Sequence, residues 1–186
     1  MIKHTSFFLI LISFITITNC EEPSEYQMHV QQELAKDIRV DSLIFEYKFG
    51  MTKDEFLTYS WEINKQGLIV NGSGAEVVQD VDWLKSPARR SYYPKFQEDK
   101  IIQLPLQYTY NGWAPWNTHL VSDSLKVDVM NYLENQYNAE FKVLPDSGAV
   151  DIHYHIEGNR EIRVFTVDEK TVRVLFSDLS KVNLES

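Results

Sequence analysis

Three short segments near the C-terminal end of the chain alternate apolar and polar residues: 150–156, 160–167 and 171–177. Two tight turn sequences, Glu157-Gly158-Asn159 and Asp168-Glu169-Lys170, separate them. A period of two residues is typical of strands with one buried face, and very short turns join antiparallel neighbours. The pattern therefore predicts an antiparallel meander of three strands, with residues 141–144 as a candidate fourth.

The clearest helix start in the sequence is the segment that begins at Thr52. Thr52 and Glu55 have the spacing of a capping box, in which each side chain accepts a hydrogen bond from a backbone N–H at the start of a helix. Gly67 is well placed to end this helix, and we expect the strand 43–49 to precede it. The predicted buried face of the helix consists of Phe56, Ser60 and Ile63.

The turn Gly50-Met51-Thr52 followed by a helix resembles the start of the small outer-membrane lipoprotein domain of the BamE and SmpA group. It also resembles the repeats of β-lactamase inhibitory protein. The resemblance implies a helix packed on an antiparallel sheet, and it covers residues 49–56 only. The Leu-Gly-x-Pro that commonly closes such a helix is replaced here by Lys65-Gln66-Gly67. The stretch also resembles lipoproteins of Bacteroidota with Phe-Gly-Met-Thr-Lys-x-Glu-Phe, which implies no particular activity.

Apolar spacing predicts two more helices and two more strands. A helix over 124–137, capped by Ser122 or Asp123 and ended by Asn138, has an apolar stripe of Leu125, Val129, Tyr132, Leu133 and Gln136. A narrower stripe indicates a helix within 26–38. Residues 68–71 and 101–110 have strand character, and Pro105 favours an edge strand or a bulge. We therefore expect one α+β domain over 28–186, an antiparallel sheet covered on one face by two helices.

The first nineteen residues form a short apolar stretch that leads to Cys20, the single cysteine of the chain. The apolar core, 7–17, is about half as long as a membrane-spanning helix requires. The stretch resembles a bacterial lipoprotein signal peptide with a lipobox of the Bacteroidota type, although Asn19 stands where smaller residues are commoner. The alternatives are a permanent N-terminal membrane helix and a secretory signal that leaves Cys20 unmodified.

The resemblance implies that the signal peptide, 1–19, is removed and that Cys20 carries a diacylglycerol and an N-acyl chain. Residues 20–27 then form a tether, and the covalent lipid holds the protein at the outer membrane, facing the periplasm or the cell surface. Two or more acyl chains give stable anchoring. The net charge of −9 argues against nucleic acid as a partner, because binding to phosphates needs clustered lysine and arginine.

Aromatic residues are concentrated in the middle of the chain, where eight of them fall between Trp83 and Trp116. Exposed aromatic rings stack on sugars or anchor a partner protein, and arginine pairs with carboxylates. The alternative is that these rings fill the core. We expect a contact surface in the loops 89–96 and 112–117, formed by Arg89, Arg90, Tyr92, Tyr93, Trp113 and Trp116.

A second candidate site is the pair His153 and His155, two residues apart on a predicted strand. Such a pair can share a metal ion, with carboxylates at Asp151 and Glu157 as further ligands. The alternative is a solvent-facing polar row, with Ile152, Tyr154 and Ile156 facing the core. In that case we expect Glu161, Arg163 and Arg173 to join the same charged face.

The sequence contains no Gly-x-Ser-x-Gly, His-Glu-x-x-His or phosphate-loop motif. We therefore expect a non-enzymatic binding or assembly module without a cofactor, whose partner is a protein or a glycan. The competing hypothesis is a metal-binding protein or metal-dependent enzyme that uses His153 and His155.

Overall fold

The computed structural model describes residues 22–145, 148 and 150–182, which form helices and an antiparallel sheet. The predicted signal peptide and Cys20 lie outside the described residues. The helices are α1 (Glu25–Ala35), α2 (Lys53–Lys65) and α3 (Ser122–Tyr137). The strands are β1 (Val70–Asn71), β2 (Val77–Val81), β3 (Ala88–Tyr92), β4 (Lys95–Gln97), β5 (Lys100–Tyr110), β6 (Lys142–Val143), β7 (His153–Glu157), β8 (Arg160–Thr166) and β9 (Thr171–Asp178). The predicted α+β class with an antiparallel sheet is confirmed.

The described strands form one sheet in the order β1-β2-β3-β5-β9-β8-β7-β6, and β4 pairs separately with the start of β5. The predicted meander is confirmed, because β8 pairs antiparallel with both β7 and β9, and β6 adds the candidate fourth strand. The long strand β5 joins this C-terminal half to β3. Both halves of the chain therefore contribute to a continuous sheet.

The main core lies on one face of the sheet, beneath α2 and α3. From α3 it receives Leu125, Val129 and Leu133, whereas Gln136, which the apolar stripe included, is exposed. From α2 it receives Phe56 and Ile63. The sheet contributes the residues that alternate inward, including Leu104, Leu106, Tyr108, Ile162, Val164, Val174 and Phe176.

The first helix, α1, packs on the opposite face of the sheet. Tyr26 and Val30 form a second apolar cluster with Tyr154 and Ile156 of β7. The Tyr26 hydroxyl donates to Glu161 Oε1 at 2.8 Å and accepts a hydrogen bond of 2.7 Å from Arg163 Nη2. The helix α1 begins at Glu25 and so includes the last residues of the predicted tether, 20–27.

The start of α2 is built as the sequence predicts. The Thr52 backbone N–H donates to Glu55 Oε2 at 2.7 Å, and the Glu55 N–H donates to Thr52 Oγ1 at 3.1 Å. Gly67 follows the helix with φ of 74°, a left-handed conformation that glycine adopts without steric cost. The capping box and the glycine stop are therefore confirmed.

Two local predictions are wrong. Residues 43–49 form a compact turn rather than a strand: the Leu43 N–H donates to the Tyr47 carbonyl at 3.0 Å, and Phe45 has φ of 51°. The adjacent residues Leu43 and Ile44 are both buried, which an alternating strand on one face does not permit. At the start of α3, the N-cap is Val121 and makes no side-chain hydrogen bond, so neither Ser122 nor Asp123 caps the helix.

The prediction of an edge strand at Pro105 is also wrong, because β5 has partners on both sides, whereas an irregularity is present nearby: the β4–β5 register shifts between Ile101 and Gln103. On one side Pro105 stands opposite Leu175 of β9. On the other side β5 pairs with two different strands in succession. Residues 100–103 of β5 pair with β4, and residues 106–110 pair with β3. Pro105 lies between these two paired segments, where its missing N–H interrupts no hydrogen-bond ladder.

None of the described helices is long and apolar enough to cross a membrane.

Candidate functional site

The structure divides the predicted contact residues between the core and the surface. Residues 88–92 form strand β3 rather than a loop, so alternate side chains point to opposite faces. Arg90 and Tyr92 are buried, each with 3% or less of its surface exposed. Arg89 is exposed and pairs with Asp80 at 3.2 Å, and the half-buried Tyr93 packs on Phe56. Burial therefore removes Arg90 and Tyr92 from the predicted surface.

The two tryptophans of the predicted surface lie in an irregular segment between β5 and α3, as the sequence indicates. The side chain of Trp116 is 85% exposed. Trp113 is half-buried, and Lys170 Nζ lies over its ring, 5.4 Å from the ring centre. We call residues 111–121 the tryptophan loop. Its most exposed large side chain is Trp116.

Both ends of the tryptophan loop are held by backbone hydrogen bonds. The Asn111 N–H donates to the Pro87 carbonyl at 3.0 Å, and the Ser122 N–H donates to the Glu169 carbonyl at 2.9 Å. Inside the loop, a Cβ on Gly112 would approach Leu120 Cδ1 to 2.9 Å. The loop is therefore fixed to the sheet and to the β8–β9 turn, and this rigid attachment positions Trp116 at the surface.

The histidine pair lies on β7 near the edge of the sheet. Its neighbours Tyr154 and Ile156 are buried beneath α1, while His153 and His155 stand opposite Val164 and Ile162 on the main-core side of the sheet. Glu161 and Arg163 stand opposite Ile156 and Tyr154, so the expectation that they share the histidine face is wrong. The polar row of β7 thus stays on one face, and Glu161, Arg163 and Arg173, which are predicted on the same face, lie on the other.

Asp151, the carboxylate beside His153, already forms an ion pair with a lysine. Lys126 Nζ lies 3.0 Å from Asp151 Oδ2, and this hydrogen bond lowers the pKa of Asp151. His153 Nδ1 is 3.7 Å from the same oxygen, and His155 Nδ1 lies beside the Glu140 backbone. The described part of the chain contains no group of three histidine, cysteine or carboxylate side chains that could hold a metal ion.

A cavity of about 790 Å³, which we call the arginine cavity, opens on the main-core side of the sheet. Its walls are the turn 40–45, the C-terminal part of α3 and Trp83. The Tyr137 hydroxyl donates to the Leu43 carbonyl at 3.0 Å and so joins α3 to the turn. The charged residues that line the cavity are Arg90, Arg160 and Glu157.

Arg90 has only neutral hydrogen-bond partners in this cavity. Its Nε donates to Gln79 Oε1 at 2.6 Å, and its Nη1 donates to the Tyr108 hydroxyl at 3.2 Å. Its guanidinium carbon lies 5.3 Å from the ring centre of Phe45 and 5.2 Å from that of Trp83. Among the described residues, no carboxylate lies within ion-pair distance of Arg90.

Arg160, in contrast, has an anionic partner. Its Nη2 donates to Glu157 Oε2 at 2.6 Å, and its Nη1 donates to the Ser42 carbonyl at 3.0 Å. Its guanidinium carbon lies 4.8 Å from the ring centre of Tyr137, whose pKa is raised above its ordinary range by burial. The side chains that line the arginine cavity therefore carry one more positive than negative charge.

Sequence reasoning found Arg90 but assigned it to a surface loop, and it missed Arg160 and Gln79 as residues of the site. One available signal was the alternation of Arg90 with Ala88 and Tyr92, which indicates a strand whose inward face includes an arginine. Nothing in the local sequence marks Gln79 or Arg160, because their role depends on pairing across the sheet.

The exposed part of the opposite sheet face contains a second cavity, of about 500 Å³. Two of its charges form a pair, since Arg163 Nε lies 2.9 Å from Glu161 Oε1, while the exposed Lys95 and Lys181 also line it. Gln103 Nε2 donates to Ser177 Oγ at 3.0 Å. This cavity differs from the arginine cavity in that its cations without an ion-pair partner among the described residues are exposed lysines, whereas Arg90 is buried.

Comparisons with models of protein families, with curated proteins and with solved structures gave no match for this chain.

Proposed function

We propose that this protein is a lipid-anchored, non-enzymatic binding or assembly module of the cell envelope. Acyl chains on Cys20 hold it at the outer membrane, facing the periplasm or the cell surface. Its contact surface is the tryptophan loop, and its partner is a protein or a glycan at the membrane. The observation that carries the proposal is the exposure of 85% of the Trp116 side chain on a loop fixed at both ends.

The exposure of Trp116 supports a role in contact because a large aromatic ring in water costs free energy that a partner recovers. Tryptophan is enriched among the residues that dominate binding energy, and its ring also stacks on sugars. The loop is attached to β5, α3 and the β8–β9 turn, so little chain entropy is lost when it binds.

The direction of α1 supports a partner at the membrane. Tyr26, near the start of α1, contacts Tyr154 and Arg163, and Glu33, near its end, accepts a hydrogen bond from the Gly158 N–H at 3.3 Å. The helix therefore runs toward the end of the sheet that contains the Gly158 turn, and its first residue lies toward the other end. The tryptophan loop lies at that same end, beside the β8–β9 turn.

The length of the tether also favours this arrangement. From Cys20 to the start of α1 at Glu25 the chain advances five residues, which span at most about 18 Å when extended. An anchor on Cys20 thus keeps the start of α1 close to the bilayer. The tryptophan loop then faces the membrane surface, where Trp116 meets a partner.

The anchor is tested by replacing Cys20, the residue proposed to carry the acyl chains. We expect the full chain to fractionate with membranes, and Cys20→Ser to release the domain into the soluble fraction. Mass spectrometry of the mature N-terminus should show a mass that corresponds to acyl chains on Cys20. If Cys20→Ser leaves fractionation unchanged although mass spectrometry shows that residues 1–19 have been removed, lipid on this residue does not hold the protein.

The contact surface is tested by site-specific photocrosslinking in cells of the native host. A photoreactive residue at position 116 should capture one defined partner. The matched control is position 61, because Trp61 is also a highly exposed tryptophan, at 61%, but lies on α2. Equal capture at both positions, or none at 116, would contradict the proposed surface.

A further inference from the structure

The arginine cavity holds a positive charge that the described side chains leave unbalanced. Arginine is always protonated in proteins, and a buried charge without a counter-ion costs free energy. The neighbouring phenols do not supply one. Burial raises the pKa of Tyr132, although Arg90 opposes the rise, and burial also raises the pKa of Tyr92 above its ordinary range. A bound anion would complete this site.

The shape of Arg90 and its surroundings specify the anion further. A guanidinium is a planar fork of five N–H donors, and parallel pairs of them match the two oxygens of a carboxylate or a phosphate. The bonds to Gln79 and Tyr108 use one N–H on Nε and one on Nη1, so the fork formed by Nη1 and Nη2 is the part that can meet an anion. The cavity lining has a net charge of +1, from Arg90 and Arg160 against Glu157. This balance suits a singly charged carboxylate better than a phosphate monoester, which carries nearly two charges at neutral pH.

The rest of the lining fits a ring that carries several hydroxyl groups. Asn135, Gln136 and Asn138 at the end of α3 place amide donors and acceptors around the opening. Trp83, 39% exposed, offers an aromatic surface beside Arg90. The cavity volume of about 790 Å³ falls within the usual range for sites that bind small molecules.

We propose that the arginine cavity binds a sugar that carries a carboxylate. The carboxylate pairs with Arg90, the sugar hydroxyls bond to the amides of α3, and the ring lies against Trp83. This inference goes beyond the proposed contact surface, because Arg90 and the tryptophan loop belong to different sites. Binding in the cavity requires neither the lipid on Cys20 nor exposure of Trp116.

The experiment measures binding of D-glucuronate to the full chain in detergent by titration calorimetry. D-glucose and acetate are the probes for the ring alone and the carboxylate alone. We expect glucuronate to bind at least tenfold more tightly than either. Comparable affinity for acetate would overturn the assignment to a sugar, and no measurable binding of glucuronate would overturn the proposal as a whole.

Variants locate the site. Arg90→Gln should weaken glucuronate binding at least tenfold, and Arg89→Gln is the matched control, because this neighbouring arginine is exposed and pairs with Asp80. If Arg90→Gln does not fold, Asn135→Asp decides the question, since it adds a negative charge at an exposed position of the lining. It should weaken binding severalfold in low salt. Unchanged binding in a folded Arg90→Gln or in Asn135→Asp would overturn the proposal.

Discussion

The hydroxyl of Tyr110 donates a hydrogen bond of 2.5 Å to Oδ2 of Asp128 and so joins the end of β5 to α3. The other carboxylate oxygen, Oδ1, lies 3.0 Å from Lys85 Nζ at the surface. Both Tyr110 and Asp128 are buried. The pair therefore fixes α3 on the sheet just before the tryptophan loop begins.

Tyr110→Phe should destabilise the protein by about 1–3 kcal/mol, because it leaves one oxygen of a buried carboxylate without a donor. Urea unfolding of the wild type and the variant measures the difference. A double-mutant cycle with Asp128→Asn isolates the interaction between the two side chains. Independent effects of the two substitutions would show that the hydrogen bond contributes nothing to stability.

Thr52→Ala should lower the free energy of unfolding by about 1 kcal/mol, since the first turn of α2 then loses its side-chain acceptor. Thr58→Ala is the matched control: Thr58 is an exposed threonine within the same helix. Alanine has the higher helix propensity, so this control should be neutral or slightly stabilising. Equal losses for the two variants in thermal unfolding would mean that the capping box has no role of its own.

The parts of the fold that the sequence predicts are those with local causes. The meander follows from a period of two residues and two tight turns, and the start of α2 follows from the spacing of Thr52 and Glu55. Each signal lies within a few residues of the structure that it specifies. The same holds for the left-handed Asn138, which ends α3.

The arginine cavity as a whole has no local cause: the alternation around Arg90 indicates an inward-facing arginine, but the local sequence does not indicate which side chains surround it. Arg90 is buried because β3 lies between β2 and β5, which brings Gln79 and Tyr108 beside it. Pro105 lies inside the sheet because two different strands share one side of β5. These arrangements depend on which distant segments pair, and neither composition nor periodicity predicts the pairing of strands that are far apart in the sequence.

Gly158→Ala should destabilise the protein far more than Gly67→Ala. Both glycines have positive φ, of 58° and 74°, so alanine costs about 1–2 kcal/mol at either position through backbone strain. At Gly158 the new Cβ would also lie 2.2 Å from the carbonyl oxygen of Ile38, whereas nothing lies within 4 Å at Gly67. Equal midpoints of urea unfolding for the two variants would contradict the close approach of residue 38 to the β7–β8 turn.

Trp116→Ala should change the free energy of unfolding by less than about 0.5 kcal/mol, as expected of an exposed side chain. Trp113→Ala should cost about 1 kcal/mol, because this ring is half-buried and interacts with Lys170. Thermal unfolding of both variants tests the contrast. A loss of about 3 kcal/mol for Trp116→Ala would be typical of a core residue and would refute the exposed contact surface.

Stability should fall above about pH 10, where tyrosines of the unfolded chain begin to ionise. Burial, assisted by Asp128, raises the pKa of Tyr110 above its ordinary range, and burial does the same for Tyr137. The folded state therefore keeps protons that the unfolded state releases. Each such group contributes its full stabilisation below the unfolded pKa and loses it as pH rises toward the folded pKa.

Comparison of the wild type with Tyr110→Phe isolates the contribution of one phenol. Urea unfolding between pH 8 and 11 should show a shallower decline for the variant above pH 10, by at most about 1.4 kcal/mol per pH unit. Lysines also titrate in this range, but they are common to both proteins and cancel in the difference. Parallel pH profiles would mean that Tyr110 ionises equally readily in the folded and unfolded states, contrary to its burial against Asp128.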